Sequence, residues 1–226
     1  MRHAIVTGYS SGIGKAITQD LLQKGWKVTG LSRTQGEAAL PNLNGIAVDL
    51  TDADQLRSAI SGLETPDALI HAAGMIVAAP LGELDGAASK RLWSLHVHAA
   101  EVLINHFAPT LKPGSRIVII GSRTSRGAAN RSQYAATKAA LVGMVRSWGM
   151  ELAPRQITVN VVAPGATETP MLTKPERASS APILPPMGRL IQPEEVASLV
   201  SYLLSERAAP ITGQELVICG GASLKA

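Results

Sequence analysis

"TGYSSGIG", residues 7–14, stands directly behind the apolar run Ala4, Ile5 and Val6 and directly ahead of a helix-like stretch at 12–24. Three glycines and two serines between a strand and a helix make a turn with unusual backbone freedom. The same strand-to-helix step recurs along the chain. Runs rich in β-branched and apolar residues fall at 3–8, 26–32, 45–50, 67–74, 116–122, 157–165 and 214–219. Helix-like stretches lie between them at 12–24, 52–63, about 84–110, 132–153 and 192–205. Alternation of this kind implies parallel strands, and strands apolar nearly throughout imply helices on both faces of the sheet. The expected fold is α/β: one doubly wound, Rossmann-type domain over residues 1–226 with about seven parallel strands. One crossover is thin. Arg33 to Asn44 offers about a dozen residues with Gly36 and Pro41 among them, enough for a loop or one helical turn.

Composition agrees with a single core. The chain has 226 residues, 46% hydrophobic and 17% charged, and its 14 prolines and 21 glycines are dispersed instead of pooled in a linker. The one biased patch, "APILPPMGRL" at 181–190, is read as part of a mobile substrate lid over 168–190. The first residues run straight into a strand without an apolar leader, no apolar run reaches membrane-spanning length, and the lone Cys219 fits a reducing compartment. A cytoplasmic protein without membrane contact is expected. A net charge of +4 with only 3% aromatics gives neither a basic stripe nor stacking platforms, so no nucleic-acid partner is expected. No metal is invoked.

At the carboxyl end of the first strand, Gly8, Gly12 and Gly14 would let a dinucleotide's pyrophosphate approach the backbone, while the amides and dipole of the next helix receive its charge. Ser10 and Ser11 could cap that helix and donate to phosphate. A tight turn of purely structural purpose is the competing reading, since the spacing is not G-x-G-x-x-G.

A second constellation lies in "GSRTSRGAANRSQYAATKAAL", residues 121–141. Tyr134 and Lys138 lie on one face of a helix, one turn apart, so an ammonium can sit near the phenol and favour its ionised form. Phenol titrates near pH 10, and the lysine together with an oxidised nicotinamide would draw it toward the working range. Ser122 could then hold a substrate oxygen while Tyr134 exchanges a proton with it and the cofactor moves a hydride.

With these pieces assembled, the chain resembles the short-chain dehydrogenase/reductase family over essentially all 226 residues. The matching motifs stand in the family's order: TGYSSGIG, "VDLTD" at 48–52, "HAAG" at 71–74, Ser122, "YAATK" at 134–138, "NVVAPG" at 160–165 and "ITGQELVICGG" near the end. The resemblance implies that Gly8, Ser10, Gly12, Ile13 and Gly14 hold the pyrophosphate and its ribose. It implies that Asp49 and Leu50 bracket the adenine, and that Ala73 and Gly74 lie against the middle of the cofactor. Tyr134 would be the acid/base and Lys138 its partner, gripping the nicotinamide ribose as well. Pro164, Gly165, Thr167 and Thr169 would form the nicotinamide loop, with Thr169 on the carboxamide.

Cofactor choice follows from charge. An acid after the second strand reads a ribose 2′-hydroxyl, whereas a 2′-phosphate needs a cation there. Here Ser32 stands in the acid's place and Arg33 follows, so NADP(H) is preferred over NAD(H). A surface arginine of no special purpose is the alternative.

The sequence departs from the family's pattern in several places. His96 stands where the family has an asparagine that holds a water linked to the lysine, and a histidine could carry a proton itself near neutral pH. His96 is therefore expected in the proton relay, the alternative being a neutral histidine packed in a helix interface. Ala72 replaces the first residue of an N-A-G triplet. Arg123, Arg126 and Arg131 crowd the segment before Tyr134, and Lys174 and Arg177 fall in the expected lid. Several cations at one mouth favour an anionic substrate: a keto acid, a hydroxylated cyclic acid or an acyl thioester.

Apolar surface around Trp93 and Leu95, and around Met144, Val145 and Trp148, points to a homo-oligomer, a dimer or tetramer. The expected activity is an NADP(H)-dependent interconversion of a carbonyl and a secondary alcohol in a small molecule. A non-catalytic dinucleotide sensor or scaffold is the rival, favoured mildly by His96 and Ala72 and opposed by the intact Ser122, Tyr134 and Lys138.

Overall fold

Each central strand feeds two cores at once. In β1 (His3–Thr7), Ile5 enters one hydrophobic cluster while Ala4 and Val6 enter another. In β5 (Arg116–Ile120), Ile117 and Ile119 face the first and Val118 and Ile120 the second. Side chains alternate across a strand, so a run without polar gaps signals a sheet with no wet face. The computed structural model describes residues 1–34, 40–172 and 183–224.

The remaining strands are β2 (Lys27–Ser32), β3 (Leu43–Ala47), β4 (Ala68–His71), β6 (Thr158–Pro164) and β7 (Glu215–Ile218). They form a seven-stranded sheet in the order β3-β2-β1-β4-β5-β6-β7, and every pairing is parallel. This is the doubly wound fold expected from the sequence. Strand order reverses between β1 and β4, and the crevice at the carboxyl ends beside such a reversal is where open α/β sheets bind ligands.

Helices α1 (Gly12–Gln23) and α6 (Pro193–Leu203) pack on each other and cover one face, with Ile17, Leu21, Val196 and Val200 buried. Helices α2 (Ala53–Ile60), α4 (Ala99–Phe107) and α5 (Ser132–Leu152) cover the other, burying Leu56, Leu103, Phe107 and Leu141. Their starts are chemically marked. Asp52 accepts from the amides of Asp54 and Gln55 at the head of α2, and Gln192 and Glu195 form a capping box at the head of α6, with Pro193 as its first helical residue.

Three expectations need adjusting. The helix anticipated at about 84–110 is a rod interrupted by a π-helical turn: α3 (Gly86–Trp93), the turn Ser94–His98, then α4. The third strand ends at Ala47, before the anticipated 50, because the Asp49 carboxylate takes both the amide and the hydroxyl of Thr51 and bends the chain. Val145, offered as interface surface, is fully buried in the sheet-facing core. The loop or single turn expected between Arg33 and Asn44 falls partly on residues 35–39, outside the described residues. So do residues 173–182 of the anticipated lid, with Lys174 and Arg177. Among the described residues, no helix is long and apolar enough to cross a membrane.

Candidate active site

The turn after β1 is made of bare backbone. Gly8 and Gly12 have φ of 69° and 52°, a region that costs most side chains. A Cβ on Gly8 would lie 2.8 Å from Ala73 Cα, and one on Gly14 would lie 2.1 Å from the Gly8 carbonyl oxygen. No other residue type closes this strand onto this helix. Helix α1 then begins with its donors open: Ser11 is the N-cap but makes no side-chain capping bond, and the first turn holds no acid. Exposed amides with no carboxylate among them fit a pyrophosphate. Ile13 packs against the α1–α6 core, which anchors the turn.

The neighbouring edge is tied to this turn by hydroxyls. Ser10 Oγ and Thr34 Oγ1 share a hydrogen bond of 3.2 Å, and Ser32 Oγ donates to the Thr34 carbonyl at 2.6 Å. Arg33 stands exposed between Ser32 and Thr34, and among the described residues no carboxylate is paired with it. Asp49 and the buried Leu50 follow β3 at the same end of the sheet. From the far side comes the loop after β6. Pro164 ends that strand, the Gly165 amide donates to Ile218 O, and Thr167 is buried with its hydroxyl on the Gly165 carbonyl. Thr169 Cγ2 reaches to 3.2 Å from where Gly12 would carry a Cβ. The two loops thus meet over the strand ends.

At the end of β4 a buried polar chain begins. Thr7 Oγ1 accepts from the amides of Ala72 and Ala73, both at 3.1 Å, and donates to His71 Nδ1 at 2.9 Å. The other ring nitrogen, Nε2, donates to the Leu95 carbonyl at 3.1 Å. Leu95 belongs to the π-turn, where the looser spacing frees a carbonyl for a side chain. His71 is fully buried and its pKa is pushed down to about 3, first by desolvation and then by the charge of Lys138.

His96 sits on the next residue but lies just as deep, with no exposed surface. Its Nε2 accepts the Met75 amide at 3.0 Å, so the ring proton is on Nδ1, which donates to Thr137 Oγ1 at 2.9 Å. Thr137 in turn donates to the Tyr134 carbonyl at 2.9 Å. Desolvation, with Lys138 and His71 nearby, holds the imidazole well below its ordinary pKa. The expectation that His96 carries a proton near neutral pH therefore does not fit its surroundings: Nε2 must keep its lone pair to accept the Met75 amide, and that requires the neutral ring.

Ser122 follows β5 and caps a short 3-10 turn, Arg123–Arg126. Its Oγ accepts from the Thr124 amide at 3.1 Å, which leaves the hydroxyl proton free to donate. Lys138 Nζ donates to the Ile120 carbonyl at 2.9 Å, two residues before Ser122, and lies 5.9 Å from the centre of the Tyr134 ring. Tyr134 and Lys138 are both nearly buried, at 9% and 3% exposure, and Tyr134 meets His96 edge to face at 5.6 Å. Burial brings the lysine down to about 7.

The three arginines are not equivalent. Arg126 pairs with Glu215 of β7 at 3.5 Å, and Ser125 Oγ donates to the same carboxylate at 2.7 Å. The Ser125 bond ties the 3-10 turn to the last strand, while Arg126 is mostly exposed and meets Glu215 by the longer contact. Arg123 stands part-exposed in the turn, and Arg131 is the residue before α5. The sequence reading missed Thr7, His71 and Thr137. Their only signal was one histidine and two threonines in otherwise apolar stretches, which by itself says nothing about a network.

A family model described as Enoyl-(Acyl carrier protein) reductase matches residues 8–223. The 3-oxoacyl-(acyl-carrier-protein) reductase of Vibrio harveyi is 33% identical over 237 aligned positions, covering 96% of each chain. Among solved structures, a short chain dehydrogenase family protein from Francisella tularensis superposes with a TM-score of 0.91 at 30% identity, covering 100% of both chains. A 4-hydroxyisoleucine dehydrogenase complexed with NADH gives 0.90 at 25% identity over 100% of both chains. BdcA in complex with NADPH gives 0.87 at 31% identity, over 98% of this chain and 95% of that one.

Proposed function

The chain belongs to the short-chain dehydrogenase/reductase family, and from that premise we propose an NADP(H)-dependent oxidoreductase that interconverts a carbonyl and a secondary alcohol. One observation carries the reading: Lys138, buried and anchored on the strand that leads to Ser122, lies one helical turn from Tyr134. Burial brings the amine to about 7, so that it gains and loses a proton around neutral pH, and it is the ammonium form that stabilises a phenolate beside it. In the reductive direction Ser122 donates a hydrogen bond to the substrate oxygen and keeps its proton, and Tyr134 delivers the one proton that completes the alcohol. The nicotinamide, when bound, supplies the hydride. Gly8, Gly12 and Gly14 with the open amides of α1 would hold its pyrophosphate, Asp49 and Leu50 its adenine, and Ala73, Gly74 and the loop from Pro164 to Thr169 its nicotinamide half.

Preference for NADP(H) rests on Ser32 and Arg33, since an acid is absent where it would repel a 2′-phosphate. One relative's NADH complex and another's NADPH complex leave that choice to this chain's own residues. For substrate, Arg123 and Arg131 favour a compound with a negative group, and an acyl thioester agrees with the name of the Vibrio relative. Trp93, 43% exposed on the rod that carries His96, supports a homo-oligomer built on the α3–α4 rod and α5. A cytoplasmic location agrees with the lone cysteine.

The test is consumption of NADPH and of NADH, followed by absorbance, over a panel of neutral and carboxylated ketones of matched size at low and high salt. Faster NADPH turnover with carboxylated ketones, weakened by salt, is expected. Binding of NADPH with no turnover of any carbonyl would instead make the chain a sensor.

A further inference from the structure

His96 has more to do than fill space. It lies in the π-turn of the α3–α4 rod, fully buried, and each ring nitrogen reaches a different part of the site. Nε2 takes the amide of Met75, the residue after Gly74, and a Cβ on Gly74 would lie 3.4 Å from that nitrogen and 3.8 Å from Lys138 Nζ. Nδ1 gives its proton to Thr137, which gives its own to the carbonyl of Tyr134. The same ring stands T-shaped against that of Tyr134, 5.6 Å between centres. A backbone amide can only donate, so the two contacts together demand one tautomer.

We propose that His96 is a positioning residue, a neutral Nδ1-protonated imidazole that spans the two halves of the site and keeps the Gly74–Met75 backbone in register with Tyr134. This rests on the reading of Tyr134 as acid/base and of Gly74 as part of the cofactor wall. Its two ends do different work. The Nε2 end holds the wall and governs how well the cofactor seats. The Nδ1 end, through Thr137, fixes the helical turn that aims the phenol and governs the chemical step, where small displacements matter. The charged and titratable groups facing the ring are Lys138 and Tyr134 from α5 and His71 from β4, and the two basic ones both disfavour a second positive charge there.

Two measurements test the proposal. In wild-type protein labelled with 15N in its histidines, the His96 ring should show a protonated Nδ1 and a bare Nε2, unchanged from about pH 5 to about pH 8. The opposite tautomer, or a titration within that range, overturns it. The second measurement separates the ends. Asparagine places an amide nitrogen where Nδ1 stands but nothing where Nε2 stands, whereas glutamine places an oxygen near Nε2 and nothing near Nδ1. His96→Asn should raise KM for NADPH about tenfold with a smaller change in kcat, and His96→Gln should lower kcat about tenfold with a smaller change in KM. Equal changes in both constants in both variants would reduce His96 to packing. If Tyr134→Phe kept wild-type turnover, the acid/base reading would fall while the tautomer result stood by itself.

Discussion

After β1 the chain turns on Gly8, Gly12 and Gly14, and what faces the ligand there is peptide amide with side chains removed. After β5 and along α5 the arrangement is the reverse: Ser122, Tyr134 and Lys138 supply the chemistry, and behind them His71, His96, Thr7 and Thr137 form hydrogen-bonded chains with almost no access to water. Binding a constant group such as a pyrophosphate needs only shape and donors, which backbone provides without conformational choice. Moving a proton needs a group of adjusted basicity in a fixed place, and that takes burial and neighbours. The first half should fail when atoms are added to it, the second when its protonation is disturbed.

The largest effect of a substitution, on stability and binding together, is expected at Gly14. Alanine there puts a Cβ 2.1 Å from a backbone oxygen that cannot swing aside, so the turn or α1 must move. We expect a loss of stability of about 3 kcal/mol and at least a hundredfold weaker NADPH binding, from thermal unfolding and titration, on the order of the overpacking costs seen in tight cores. Wild-type behaviour of Gly14→Ala would mean that backbone is not what shapes this half.

Next comes pH. His71 binds its proton only near pH 3 in the folded protein but near 6.5 when unfolded, so between those values the unfolded chain holds more protons. Stability therefore rises with pH across that window and is lost as pH falls from about 6.5 toward 3, by on the order of 4 kcal/mol from this one residue. Lys138 acts with the same sign higher up, stability rising between about 7 and its unfolded value. His71→Asn should flatten the acid limb in urea-unfolding midpoints taken at about pH 4 and about pH 6.5. An unchanged slope would place the acid sensitivity elsewhere.

A smaller effect is expected at Arg33. Its replacement by alanine should raise KM for NADPH about tenfold and leave KM for NADH within about a factor of two, since only one ligand carries the 2′-phosphate. Equal changes would remove the basis for NADP preference. The smallest belongs to a control on the exposed side of α5, away from the site contacts of both halves. A Cβ on Gly143 of α5 meets nothing within 4 Å, so Gly143→Ala should stabilise the protein by roughly 0.5–1 kcal/mol without touching either constant.

The contrast also explains what could be read in advance. TGYSSGIG drew attention as a glycine-rich step from strand to helix, though a structural turn competed with it until YAATK stood beside it, and apolar strands such as RIVII revealed a two-faced sheet because alternation was missing. Tyr134 and Lys138 were legible because helical spacing places them together. His71, Thr7 and Thr137 were not, because their partners lie 24, 65 and 41 residues away along the chain and only the sheet order brings them together. The pairing of Arg126 with Glu215, 89 residues on, escaped for the same reason. His96 was noticed as a departure from a pattern, but its protonation depends on burial and on which nitrogen meets an amide, and neither is written in local sequence.

The central claim is that Tyr134 performs the proton transfer while other residues bind the dinucleotide. Its most direct test is NADPH affinity and carbonyl turnover measured side by side on wild type and Tyr134→Phe. The account predicts affinity within about twofold and turnover lower by a factor on the order of 100 to 10,000. Turnover in the variant close to that of the wild type would contradict it.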